Sequence, residues 1–159
     1  MTYPPRTVPE DCFDYYWIDD DHLLVYLIDV SGHGLEPALL SVSVHNMLRS
    51  GSLTTQTLLA PEAVLAELNR LFQMEQQRDH CFTARYGVYE KSTRTLRYAN
   101  AGSPPPFAFS SDDDGTVSVT KLSVASTPIG MFEDSEFTAH TYPVPAGCQI
   151  LVYSDGASE

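Results

Sequence analysis

The sequence predicts one α+β domain built mainly from antiparallel strands, on three observations. Two apolar, aromatic-rich runs, Phe13–Ile18 and Leu23–Ile28, flank the polar segment Asp19-Asp20-Asp21-His22, which is the pattern of a hairpin. Two later stretches, Leu35–Arg49 and Pro61–Gln77, repeat apolar residues at helical spacing. From Cys81 onward the chain divides into short β-prone runs separated by polar turns containing Gly or Pro.

Bulk properties limit what such a domain does. A chain of 159 residues builds one core and is too short for two ordinary domains. With 43% hydrophobic and 19% charged residues the composition is globular. A formal net charge of −12 argues against nucleic acid and against an anionic membrane surface, both of which need a basic face. A basic protein partner, or a site that gathers cations, fits that charge better. Cys12, Cys81 and Cys148 are odd in number, far apart and without a CxxC pair. Neither a disulfide framework nor a cysteine zinc site is expected, and the cytoplasm is the default compartment. No run approaches the ~20 apolar residues of a membrane helix, and no secretory leader pattern opens the chain.

Taken in order, residues 1–10 are Pro-rich and read as an extended arm or linker ahead of a domain over 11–159. The first strand of the hairpin carries one acid, Asp14, while Asp19, Asp20 and Asp21 read as a solvated turn. The first helix has its apolar stripe through Leu39, Leu40, Val44, Met47 and Leu48, with Pro37 in its first turn and Gly51 at its end. His45 reads as a packing or surface residue. In the second helix Val64, Leu65, Leu68, Leu71 and Phe72 share a face, and Pro61 and Glu62 suit its first turn. Strands follow at Cys81–Tyr89, Thr95–Ala101, Phe107–Ser110, Val117–Leu122, Glu136–Tyr142 and Gln149–Tyr153.

The stretch Leu24–Ala38 organises the rest. An apolar strand ends in Asp29, a carboxylate that is costly at the mouth of a core strand unless a metal or hydrogen-bond donors receive it. Ser31-Gly32-His33-Gly34 then gives a turn in which backbone comes close to a ligand, and the helix beginning near Leu35 points free N–H groups at the same corner. Together these features point to a site for a cation and a phosphate; the alternative is an acidic turn that caps a helix. The last strand repeats the device, ending in Ser154-Asp155-Gly156. Two such strand ends meeting would form a carboxylate cluster of the kind that holds Mg²⁺ or Mn²⁺.

The order of motifs resembles the metal-dependent PPM-class protein phosphatases of the SpoIIE/RsbU branch. The residues that carry the resemblance are Phe13-Asp14-Tyr15-Tyr16, Asp29-Val30-Ser31-Gly32-His33-Gly34 with Ala38, and Phe82-Thr83. They continue in Tyr98-Ala99-Asn100-Ala101-Gly102, Pro128-Ile129-Gly130, and Tyr153-Ser154-Asp155-Gly156 with Glu159. The resemblance implies a PPM-type αββα sandwich of two mainly antiparallel sheets flanked by helices. It implies that Asp29 bridges two Mn²⁺ or Mg²⁺ ions, that the Val30 carbonyl and Asp155 are further ligands, and that Asp14 acts nearby. Water held between the ions would then attack a phosphoserine or phosphothreonine. Gly32, His33, Gly34 and Ser103 would lie near the phosphate.

Three departures accompany the match. Cys12-Phe13 replaces two glycines ahead of Asp14, and Ser103 stands where the branch usually has His. The later strand with a further metal-binding acid has no counterpart before Glu159, so the resemblance implies a domain lacking its last strand or strands. Two functions follow. One is a serine/threonine phosphatase acting on a phosphorylated anti-sigma-factor antagonist or similar small signalling protein, joined to an upstream sensor or receiver domain and compatible with a homodimer. The other is a degenerate phosphatase domain serving as a regulated protein-binding adaptor in sigma-factor or stress-response control.

Overall fold

The computed structural model describes residues 11–155, so the arm expected over 1–10 and the motif residues Gly156 and Glu159 lie outside the described residues. The hairpin forms as β1 (Asp11–Trp17) and β2 (His22–Val30), followed by helix α1 (Leu35–Arg49), a short helix α2 (Thr55–Leu58) and helix α3 (Pro61–Leu71). Six strands complete the fold: β3 (Phe82–Glu90), β4 (Thr95–Ala101), β5 (Phe107–Ser111), β6 (Val117–Lys121), β7 (His140–Pro143) and β8 (Gln149–Leu151). They make a five-stranded sheet in the order β1-β2-β3-β4-β7 and a three-stranded sheet in the order β6-β5-β8, antiparallel throughout.

Alternation along the strands separates the two faces of the larger sheet. Leu24, Tyr26, Ile28 and Val30 of β2 join Ala84, Tyr86 and Val88 of β3 in a core with Leu40, Val44 and Leu48 of α1 and Val64, Leu65 and Leu68 of α3. Stacked Tyr26 and Tyr86 rings fill its centre, and each hydroxyl has a partner: His45 Nδ1 at 2.8 Å from Tyr26, and the Leu58 carbonyl at 2.6 Å from Tyr86. On the opposite face Tyr98 packs with Ala108 and Leu122, flanked by Leu96, Tyr142 and Ile150. That second cluster joins the smaller sheet to the larger one. Among the described residues the layers run helix, sheet, sheet, and the second helix layer of the expected αββα sandwich has no counterpart.

The structure departs from the sequence pattern at several places, among them the last strand, which stops at Leu151 rather than Tyr153. Helix α3 stops at Leu71 instead of running to Gln77, and residues 74–76 form a separate 3-10 turn. The cause is a clasp in which Met74 N–H donates to the Gly130 carbonyl while buried Asn69 accepts from Gly130 N–H. Phe82 and Ile129 exchange backbone hydrogen bonds beside it. Gly130 has φ +84°, and a Cβ there would lie 2.3 Å from the Phe72 carbonyl oxygen. Leu39 is exposed, and the first helix buries Ala38, Leu40, Ser41, Val44 and Leu48 instead. The strand expected over Glu136–Tyr142 begins only at His140.

Candidate active site

Hairpin register decides which acids meet. Asp11 is the cross-strand partner of Asp29, and Asp14 that of Tyr26. Cross-strand partners share a face, so Asp11 and Asp29 stand together on the side facing the smaller sheet. Asp29 also contacts Asp155, which lies beyond the end of β8. Three carboxylates therefore converge, one each from β1, β2 and the segment after β8. Burial pushes the Asp29 carboxyl up to about 7, with shared hydrogen bonds and charge repulsion from Asp155 and Asp11 adding to it.

Asp14 does not join this group. Its position in β1 has the opposite parity, so its side chain turns to the helices, where Arg49 Nε donates to it at 2.7 Å. The Tyr26 hydroxyl lies 3.5 Å from the same carboxylate, and the Arg49 guanidinium also covers the Tyr16 ring at 4.2 Å. Asp14 thus braces β1 against α1, and it is Asp11, not Asp14, that stands beside Asp29. A signal for Asp11 is present in the sequence. Centring the hairpin on Asp19–Asp21 pairs residue 11 with residue 29, and the same centring sets Asp14 against an apolar-run tyrosine.

The turn after Asp29 is held from β3 and its preceding loop. Ser31 N–H donates to the Cys81 carbonyl at 3.0 Å, Cys81 N–H donates to Ser31 Oγ at 3.2 Å, and His80 Nδ1 lies 3.0 Å from the Ser31 carbonyl. Gly32 at φ +90° and Gly34 at φ +104° take conformations that a Cβ disfavours, and His33 between them is exposed. Val30 has its side chain in the core, so its main chain alone is available to a ligand. Ser103 lies past the end of β4, on the sheet end that also carries Asp29. It is tied to Asn100, with Ser103 N–H donating to Oδ1 at 3.2 Å and Nδ2 donating back to the Ser103 carbonyl at 2.8 Å.

Part-buried Asp29, with Asp11 and Asp155 each against it, forms a donor set of oxygen atoms only. Hard divalent cations accept such sets, and a cation there offsets the repulsion that adds to the effect of burial on Asp29. The donors present fit Mg²⁺ or Mn²⁺.

Comparison with known proteins bears on the family and the fold. The family profile described as Stage II sporulation protein E (SpoIIE) matches residues 19–159. Phosphoserine phosphatase RsbP of Bacillus subtilis (strain 168) is 36% identical over 153 residues, covering 94% of this chain and 36% of that protein. Phosphoserine phosphatase RsbU of the same organism is 26% identical over 148 residues, covering 92% of this chain and 42% of its own length. The chain therefore spans well under half the length of these curated relatives. The crystal structure of the RsbU and RsbW domains of Rv1364c from Mycobacterium tuberculosis superposes with a TM-score of 0.73 at 25% identity, covering 96% of this chain and 41% of that one. The PP2C phosphatase domain of SpoIIE from Bacillus subtilis, solved with a fragment of its regulatory domain, also gives 0.73 at 16% identity, covering 94% of this chain and 42% of the other. With a profile match over most of its length and a PP2C-type fold, the chain belongs to the SpoIIE family.

Proposed function

We propose that this domain is a metal-dependent protein serine/threonine phosphatase acting in the cytoplasm on a phosphorylated anti-sigma-factor antagonist or similar small signalling protein. The observation that carries the reading is the convergence of Asp11, Asp29 and Asp155, with Asp29 held far above an ordinary carboxylate. An adaptor has no use for so costly an arrangement. Asp11, Asp29 and Asp155, with the Val30 main chain, would hold Mn²⁺ or Mg²⁺; two ions are the family number. Bound there, divalent cations supply Lewis acidity that offsets charge on a phosphoryl group and acidifies water.

The chain's own residues supply position. Gly32 and Gly34 leave backbone room for the phosphate of the substrate, and the Ser31–Cys81 and His80 bonds fix that turn relative to β3. Ser103, held by Asn100, offers a hydroxyl at the same sheet end without the proton-transfer capacity of a histidine. Asp14 serves the site indirectly by fixing β1 to α1 through Arg49. The same reading has the domain continue past Glu159 to a further carboxylate-bearing strand, with an upstream sensor or receiver module and the capacity to form a homodimer.

The test uses phosphorylated and unphosphorylated partner protein, titrated with Mn²⁺ and with chelator. A preference for the phosphorylated form that disappears with chelator supports the phosphatase. Equal affinity in all four conditions would replace it with the adaptor.

A further inference from the structure

Between the two sheets lies a cavity of about 570 Å³, apart from the carboxylate cluster. Its walls are apolar, with Val25, Leu27 and Tyr98 on the larger sheet and Ile150 and Leu151 on the smaller. Of its two charged lining residues, Arg94 is exposed and Arg85 is buried. Arg85, central in β3, is only 5% exposed, and its Nε, Nη1 and Nη2 all lack a hydrogen-bond partner among the described residues. Register explains its direction: Arg85 pairs with Leu27 and Asn100, on the face opposite the helix core. Burial draws the guanidinium down to about 10, opposed by the nearby Tyr153 phenol. A buried, unpartnered cation is among the most unfavourable groups a core contains, and a sheet-sandwich interior that merely needed filling would carry Leu or Met there.

We propose that this cavity is a binding site for a single-chain amphiphile bearing a carboxylate, such as a medium-chain fatty acid, with the acid on Arg85 and the alkyl chain between the sheets. The forked guanidinium matches a carboxylate's two oxygens. The walls match an alkyl chain rather than a sugar or nucleotide, because Arg85 and Arg94 are the only charged residues among the lining residues. The site is separate from phosphoryl chemistry, so the proposal stands whether or not the phosphatase reading does.

The experiment is calorimetric titration of the protein with sodium decanoate, decan-1-ol and decyltrimethylammonium, each below its aggregation concentration. Decanoate is expected to bind saturably at one site, with the alcohol and the cation at least tenfold weaker. Arg85→Met should lower decanoate affinity at least tenfold and leave decanol unchanged, while Lys121→Met, on exposed β6, should change neither. Should Arg85→Met fail to fold, the Arg85 Nε–H resonance of the unaltered protein is the second readout. It should shift with decanoate and stay in place with decanol. Equal affinity for acid and alcohol, an unaffected Arg85→Met variant, an unmoved Nε–H resonance, or no saturable binding in the full-length protein would each overturn the proposal.

Discussion

The two ends of β2 use the same residue types to opposite effect. At the His22 end Asp19 and Asp21 both have donors. Asp19 Oδ1 accepts N–H groups of Asp21 and His22 at 2.8 Å each, and His22 Nδ1 stands 2.9 Å from it. Asp21 accepts from Ser92 N–H at 2.7 Å and Oγ at 2.6 Å. The Asp21 N–H bond, foremost among several, holds Asp19 below the usual carboxylate range. At the Asp29 end, acid faces acid and Asp29 is pushed above that range. Acids that acquire donors lock a hairpin, whereas acids set against one another repel. Charge count alone does not distinguish the two ends, but the partners do.

Exchanging single residues between these roles tests the contrast. The largest effect belongs to Asp29→Asn. In the complete protein it should reduce turnover of a phosphoserine protein at least a thousandfold, which is about 4 kcal/mol of transition-state stabilisation. Without metal its melting temperature should hold or rise, because repulsion is removed. Near-normal turnover would take Asp29 out of the chemistry. Next, Asp11→Asn should weaken Mn²⁺ binding at least tenfold in calorimetry, whereas Asp14→Asn should leave it within twofold. The Asp14 change should cost below about 1 kcal/mol in urea unfolding, as expected for a part-exposed ion pair. The opposite ranking would return Asp14 to the site.

At the other end, Asp21→Ala should destabilise the hairpin by about 1 kcal/mol through its bonds to Ser92, with turnover unchanged. The smallest effect is a pH dependence. Burial draws His22 down, but hydrogen bonds and charge from Asp19, with help from Glu90 and Asp21, outweigh it and leave the imidazole raised. A raised folded value means that the native state binds the extra proton. This contribution is complete below the unfolded value of about 6.5 and is lost as pH rises through the folded value. Urea midpoints of His22→Gln and the unaltered protein should converge toward pH 9 and separate toward pH 5.5, by less than about 1 kcal/mol.

Much of this was legible in the sequence, for physical reasons that differ by region. Hairpin β1–β2 and helix α1 were readable because their patterns are local: an apolar run, a polar turn, a Gly-rich break. Asp29 and Asp155 announced themselves as acids ending apolar strands. Asp11 did not, because it begins its strand next to a Pro-rich segment and gains meaning only through register. The overrun of α3 has the same origin. Leu71 and Phe72 continue the helical pattern, and what stops the helix is a carbonyl supplied by Gly130. Short α2 lacks an apolar stripe to betray it; its start is set by Thr54 Oγ1 accepting Thr57 N–H. Arg85 was invisible for a related reason. One basic residue in a β-run looks like a solvated edge until a second sheet is laid over it.

The clasp at Gly130 sets the order in which the molecule can be assembled. Hairpins β1–β2 and β3–β4 join near neighbours in the chain and can form as soon as their residues exist. The exchange between Phe82 and Ile129, and the capture of Gly130 by Asn69 and Met74, close a far longer loop and must wait for residue 130 to emerge. The Phe82 that Ile129 secures begins the strand whose neighbour Cys81 anchors the turn after Asp29. During synthesis the nascent chain thus carries Asp11 and Asp29 side by side well before the floor beneath their turn is fastened. Competence at this corner therefore waits until residue 130 has emerged.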